Sequence, residues 1–190
     1  MSLERDWRRI ADWYAANTPS GLPLARGASE SRIAAWEQTL GLSLPADLRE
    51  SYRLHNGTGG VFLLYFGELM TLDGVERMWR RYGDWQRDNG YGVGDDWVTQ
   101  AEGPIKPFWW SPARVPLTDN GGGDPVFLDL DPAKGGRRGQ LIKYNHEVGP
   151  QFVLARSFAG WLGEIADGLE AGRFVYNVEA ETVAPPGMYD

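Results

Sequence analysis

The chain has 190 residues, 42% of them hydrophobic and 24% charged, with 26 acidic and 19 basic side chains for a formal charge of −7. This predicts a soluble globular protein able to bury a sizeable core and excludes a disordered chain. The lack of cysteine excludes disulfides and thiolate zinc sites, and no apolar run approaches the ~20 residues of a membrane helix. The start, MSLERDWRRI, is charged and has no apolar secretory core, so a cytoplasmic location is expected. Residues 89–190 hold 8 basic and 14 acidic side chains, a net of −6, so the acidity is concentrated in the second half. That field disfavours direct nucleic-acid binding and would draw in a basic protein partner.

In chain order, Leu3, Trp7, Ile10 and Tyr14 recur at helical spacing and predict an amphipathic helix over about residues 3–16. NTPSGLP then reads as a loop. Ser29 is placed to cap a second helix carrying Ile33, Trp36 and Leu40, with Gly41 at the position of a left-handed cap. Pro45 suits the start of a third helix, whose Leu48, Tyr52 and His55 share a face and which Asn56-Gly57 ends. Val61–Phe66 is continuously apolar and predicts a strand inside a sheet. A helix over Leu72–Asp88 follows, with Val75, Met78, Trp79 and Tyr82 on one face and Arg77, Arg80, Arg81 and Arg87 on the other.

From residue 89 to Ala113 repeated Gly and Pro predict a long irregular loop with a functional role. Strands are then expected at Val115–Leu117, Val126–Asp131, Gln140–Tyr144 and Phe152–Ala155, the middle two paired as an antiparallel hairpin. Ser157 caps a closing helix with Phe158, Trp161, Leu162, Ile165 and Leu169 on one side, and the tail from Phe174 reads as an arm or frayed end. Helices, meandering strands and a final helix make an α+β fold.

The densest chemistry is DNGGGDPVFLDLDP, which places Asp119, Asp124, Asp129 and Asp131 within thirteen positions. These carboxylates suit a hard cation, an acid–base pair, or turns built on side chain–backbone hydrogen bonds. Phe108-Trp109-Trp110, between Pro107 and Pro112, supplies rings either for the core or for a partner. His146 lies where a strand runs out and is a candidate to face the carboxylates. His55 reads as a capping or half-buried residue. Neither has a partner at zinc spacing, and no nucleophile elbow or phosphate loop is present. A non-catalytic chain without a metal or cofactor is therefore expected.

The order of these segments carries a resemblance. Ile33–Leu40, Leu44-Pro45 with Tyr52 and His55-Asn56-Gly57, Trp109-Trp110, Asp119–Pro132, Gly139–Ile142, Asn145-His146-Glu147 and Ala155–Leu162 together resemble the SUKH superfamily. The resemblance covers about residues 29–172, leaving 1–28 as an N-terminal helical extension and 173–190 as a C-terminal arm. It implies a single SUKH-like α+β domain, a twisted, mostly antiparallel sheet flanked by helices. It also implies a protein-binding role, either as an intracellular immunity protein that neutralises a toxin or as a regulator of cell-wall synthesis. Asp124, Asp129, Asp131 and His146 match the family's polar signature, with no catalytic role attached. On the toxin reading, Trp97, Trp109 and Trp110 anchor a basic toxin domain while Asp95, Asp96 and the aspartates from Asp119 to Asp131 steer it.

Overall fold

The computed structural model describes residues 2–90 and 101–189, so the expectations placed on Asp95, Asp96 and Trp97 lie outside the described residues. Among the described residues, five α-helices and short antiparallel strands follow one another in the expected α+β order. Helix α1 (Leu3–Asn17) buries Leu3, Trp7, Ile10 and Tyr14 against α5 (Phe158–Glu170), and Arg9 clasps the pair by donating to Glu170 and Asp167, each at 2.7 Å. Helix α2 (Glu30–Leu40) begins where the Ser29 hydroxyl accepts the Arg32 N–H and ends at Gly41, whose φ of 70° only glycine adopts freely. Pro45 caps α3 (Ala46–Leu54), and the Trp7 indole donates to Ser51 on that helix (3.0 Å).

Val61–Phe66 departs from expectation. Leu63, Leu64 and Phe66 are buried while Phe62 is exposed, and the segment is a tight turn and not a strand. Only Phe62 bridges to another strand, opposite Glu68, and Leu64–Phe66 form one 3-10 turn. The chain must reverse here to return as β1 (Glu68–Leu69), and Gly67 at φ 97° makes that reversal, closed by the Leu63 N–H on the Gly67 carbonyl (2.8 Å). A Cβ on Gly67 would lie 2.2 Å from the Asp119 carbonyl oxygen, so the turn requires glycine at that contact.

β1 pairs antiparallel with β3 (Thr118–Asp119), and α4 (Leu72–Asn89) starts on a Thr71 cap. The main sheet runs β2 (Arg114–Pro116), β4 (Val126–Asp129), β5 (Gln140–Asn145) and β6 (Gly149–Ala155) in that spatial order, all antiparallel. The expected β4–β5 hairpin is present, with Val126 opposite Lys143 and Asp129 opposite Gln140. All four residues of β4 are buried, so both of its faces are covered. Val126 and Leu128 enter the main core beneath α1, α2, α3 and α5. Phe127 enters a second, aromatic core with Tyr82 of α4, Trp109, Trp110, Ile142 and Tyr144.

The tail is not frayed. Val175–Asn177 (β7) and Thr182–Ala184 (β8) form a hairpin whose second strand is buried against the 3-10 turn. The Asn177 side chain closes it by accepting the Ala180 N–H (2.7 Å). Among the described residues no helix is long and apolar enough to cross a membrane.

Candidate functional site

The glycine-rich loop between β3 and β4 is built first by its own short side chains. Asp119 accepts the Gly121 N–H (2.9 Å), while Asn120 accepts those of Gly122 (2.9 Å) and Asp124 (3.2 Å). Such bonds turn the chain locally, and Gly121 and Gly123 take the positive φ values that the turns need. Two long-range contacts then fix the loop in place. The Tyr82 hydroxyl on α4 donates to the Gly123 carbonyl (3.0 Å), and Asp124 receives the His146 backbone N–H with the His146 ring Nδ1 also 2.9 Å away. His146 belongs to the turn after β5, so the loop is held between a helix and a hairpin.

Electrostatics follow the same geometry. Partial burial works against ionisation of Asp124, but the hydrogen bonds from His146 outweigh it and hold this carboxyl below its ordinary range. Burial raises the Tyr82 phenol, and nearby Asp124 pushes the same way, so the group stays a neutral donor. Between the loop and α4 lies a cavity of about 280 Å³, lined by Met78, Arg81, Trp85, Asp119 and His146. Met78, Arg81 and Asp119 also border a neighbouring hollow of about 470 Å³ that reaches Arg77 and Gly60.

The structure separates the four aspartates. Asp119 and Asp124 stay with the loop and His146. Asp129 is 1% exposed and therefore cannot steer a partner. It accepts from the Gln140 amide (3.1 Å) and the Asp131 N–H (3.1 Å) and stands in register with Arg114, which is itself buried. Burial raises the Asp129 carboxyl and the Arg114 charge opposes that shift, the pattern of an internal structural pair. Asp131 is exposed but turns away from the loop to an ion pair with Lys106 (2.6 Å). Among the described residues no three His, Asp or Glu side chains gather as metal ligands, and no serine or threonine hydroxyl bonds His146.

The two tryptophans are likewise displaced from the expected docking face. Trp109 and Trp110 are 3% and 4% exposed, and Phe108 is the exposed ring of the trio. The cause is Arg114, whose guanidinium donates to the Lys106 and Phe108 carbonyls and draws the segment onto the sheet. Trp109 serves the site from below, since its indole donates to the His146 carbonyl (3.0 Å). Sequence reasoning missed Tyr82 and Arg81 as site residues. Helical spacing places Tyr82 and Arg81 on opposite faces of α4, and only the tertiary arrangement puts both at the loop.

What this geometry defines is an α+β domain presenting a pinned polar surface. The chain belongs to the SMI1/KNR4 family (SUKH-1), whose family model matches residues 27–164. Over 91% of its length it is 26% identical to the cell wall biosynthesis/cell cycle regulator smi1 of Schizosaccharomyces pombe. Over 88% of its length it is 26% identical to the cell wall assembly regulator SMI1 of Saccharomyces cerevisiae and 25% identical to a glucan synthesis regulatory protein of Neurospora crassa. The matches span 37%, 40% and 38% of those three relatives, so the chain corresponds to less than half of each. All three are named as regulators.

Proposed function

We infer that this chain is a non-catalytic regulatory domain that acts by binding another protein, in a pathway of cell-wall synthesis. The observation that carries this reading is the match, over nearly the whole chain, to proteins named as wall-assembly and glucan-synthesis regulators. The Asp119–Asp124 loop with His146 is the docking surface assigned to it, working inside the cell. The test is deletion of the gene followed by growth under a wall-lysing agent. Increased sensitivity, restored by the wild-type chain and not by an Asp119→Lys/Asp124→Lys variant, is expected. Unchanged resistance under every wall stress would remove the reading.

A second reading is neutralisation of a basic toxin domain by occlusion, which the net charge of −6 over residues 89–190 favours. It requires that deletion sensitise cells only to toxin-bearing neighbours.

A further inference from the structure

Helix α4 carries four arginines on a chain of net charge −7, and they are not equivalent. Arg80 pairs with Glu76 (2.9 Å) and Arg87 with Asp84 (2.7 Å). The two remaining acids near the helix start and end are also engaged, Asp73 by Arg32 of α2 (2.7 Å) and Asp88 by Arg87 (3.7 Å). Arg77 and Arg81 are left over. Both are exposed, and among the described residues neither has an acidic group within ion-pair distance. Glu68 and Asp119 border the same groove and keep their charge, but each is turned to a backbone N–H, Glu68 to Gly60 (2.9 Å) and Asp119 to Gly121 (2.9 Å), and among the described residues neither forms an ion pair with Arg77 or Arg81.

These arginines line the joined hollows of about 470 and 280 Å³ between α4 and the loops at Gly60 and Asp119. Arg77, Arg81 and Trp85 are four residues apart, so they stand about 6 Å apart along the helix. Alternate residues of an extended peptide repeat at about 6.6 Å, a near match. We propose that this groove binds an extended acidic segment of a partner protein, with carboxylates at alternate positions on Arg77 and Arg81 and an apolar side chain beside Met78. Charge complementarity selects this occupant. Two arginines neutralise two carboxylates, whereas a nucleic acid or an anionic bilayer would meet the whole negative field of the chain. The inference rests on the reading of the chain as a protein-binding domain and adds to the acidic Asp119–Asp124 loop a second contact of opposite charge, for a separate acidic segment of the partner.

The test is fluorescence anisotropy of the full chain with a labelled peptide containing Glu-Ser-Glu-Ser-Leu, beside Gln-Ser-Gln-Ser-Leu and Lys-Ser-Lys-Ser-Leu versions and a single-stranded oligonucleotide. The Glu peptide should bind at least tenfold more tightly than the Gln peptide. Arg77→Glu/Arg81→Glu should abolish that preference and favour the Lys peptide. Arg137→Glu, an exposed arginine in the β4–β5 turn, should leave it unchanged. Equal binding of the Glu and Gln peptides, retention of the preference by the double variant, or tighter binding of the oligonucleotide would overturn the proposal. The two readings fail separately. If the double variant rescues wall-stress sensitivity and the Glu peptide does not bind, the groove assignment falls and the regulatory function stands. If deletion has no phenotype while the Glu peptide binds as described, the groove stands and the wall function falls.

Discussion

Tyr144 sits at the centre of the aromatic core with its hydroxyl unpaired, and that makes the sign of one substitution decisive. The residue is fully buried, its ring 4.9 Å from Phe127 and 5.8 Å from both Tyr82 and Trp109, and among the described residues its oxygen has no hydrogen-bond partner. Burial raises the phenol's pKa, so it is a neutral hydroxyl at any working pH. An unsatisfied buried hydroxyl costs about 1–3 kcal/mol, and Tyr144→Phe removes it while keeping the ring. Some of that gain is lost with the oxygen's packing contacts, so the net expected effect is a stabilisation of about 1 kcal/mol. Tyr82→Phe is the matched control. Its hydroxyl donates to Gly123, so the same chemical change should destabilise by about 1 kcal/mol. Urea unfolding followed by tryptophan fluorescence reads both. With a slope of about 2 kcal/mol/M the midpoints should move about 0.5 M in opposite directions at constant slope. A loss of stability in Tyr144→Phe, or shifts of the same sign, would refute the assignment of the two hydroxyls.

Four further outcomes follow from other positions in the fold. Trp109→Ala should cost about 3–5 kcal/mol in thermal or urea unfolding, since it removes a buried ring and the donor to His146; an unchanged melting temperature would return Trp109 to the surface. Gly67→Ala should cost at least about 2 kcal/mol, because its φ is 97° and its Cβ would meet the Asp119 carbonyl. Gly121→Ala, at φ 73° with nothing within 4 Å, should cost only about 1 kcal/mol in the same assay. Burial lowers the His55 pKa from its ordinary 6.5, against a smaller opposing effect of its backbone bond to Ala25. The unfolded chain therefore binds the proton more readily, so stability is fully present above about 6.5 and is lost as pH falls through that value to the folded pKa. His55→Gln should flatten the dependence of urea midpoint on pH between about 7.5 and 5.

The helices were legible because their ends are written in single residues. Ser29 and Gly41 bound α2, and Ser157 caps α5 through the Gly160 N–H (3.1 Å). The β4–β5 hairpin was legible from its alternation and its turn. What escaped depends on partners distant in sequence. An apolar run such as Val61–Phe66 specifies burial but not backbone shape, and the reversal at Gly67 is required by Asp119, some fifty positions away. Asp129 and Asp131 share a local motif, yet one is drawn inward beside Arg114 and the other outward to Lys106. That divergence needs the β2–β4 register, which local pattern does not contain. The expected anchors Trp109 and Trp110 failed for a related reason: a single arginine on the next strand holds their segment down. The family resemblance identified the polar signature, of which Asp124 and His146 meet at the site.

The two aromatic donors that hold this surface come from one layer. Tyr82 fixes the Gly123 carbonyl on one side of the Asp124–His146 pair, and Trp109 fixes the His146 carbonyl on the other. Their rings lie 5.6 Å apart, and both pack against Tyr144. The position of the Asp124–His146 pair is thus set by buried groups whose movement would disturb core packing as well. A partner meeting such a surface loses little free energy to loop ordering, so shape and charge are expressed directly in affinity. It also separates two kinds of substitution. Under the proposed docking role, a change to the exposed His146 ring is expected to alter recognition with limited cost to the fold, whereas changes to Tyr82 or Trp109 are expected to alter both together, because these supports are part of the core.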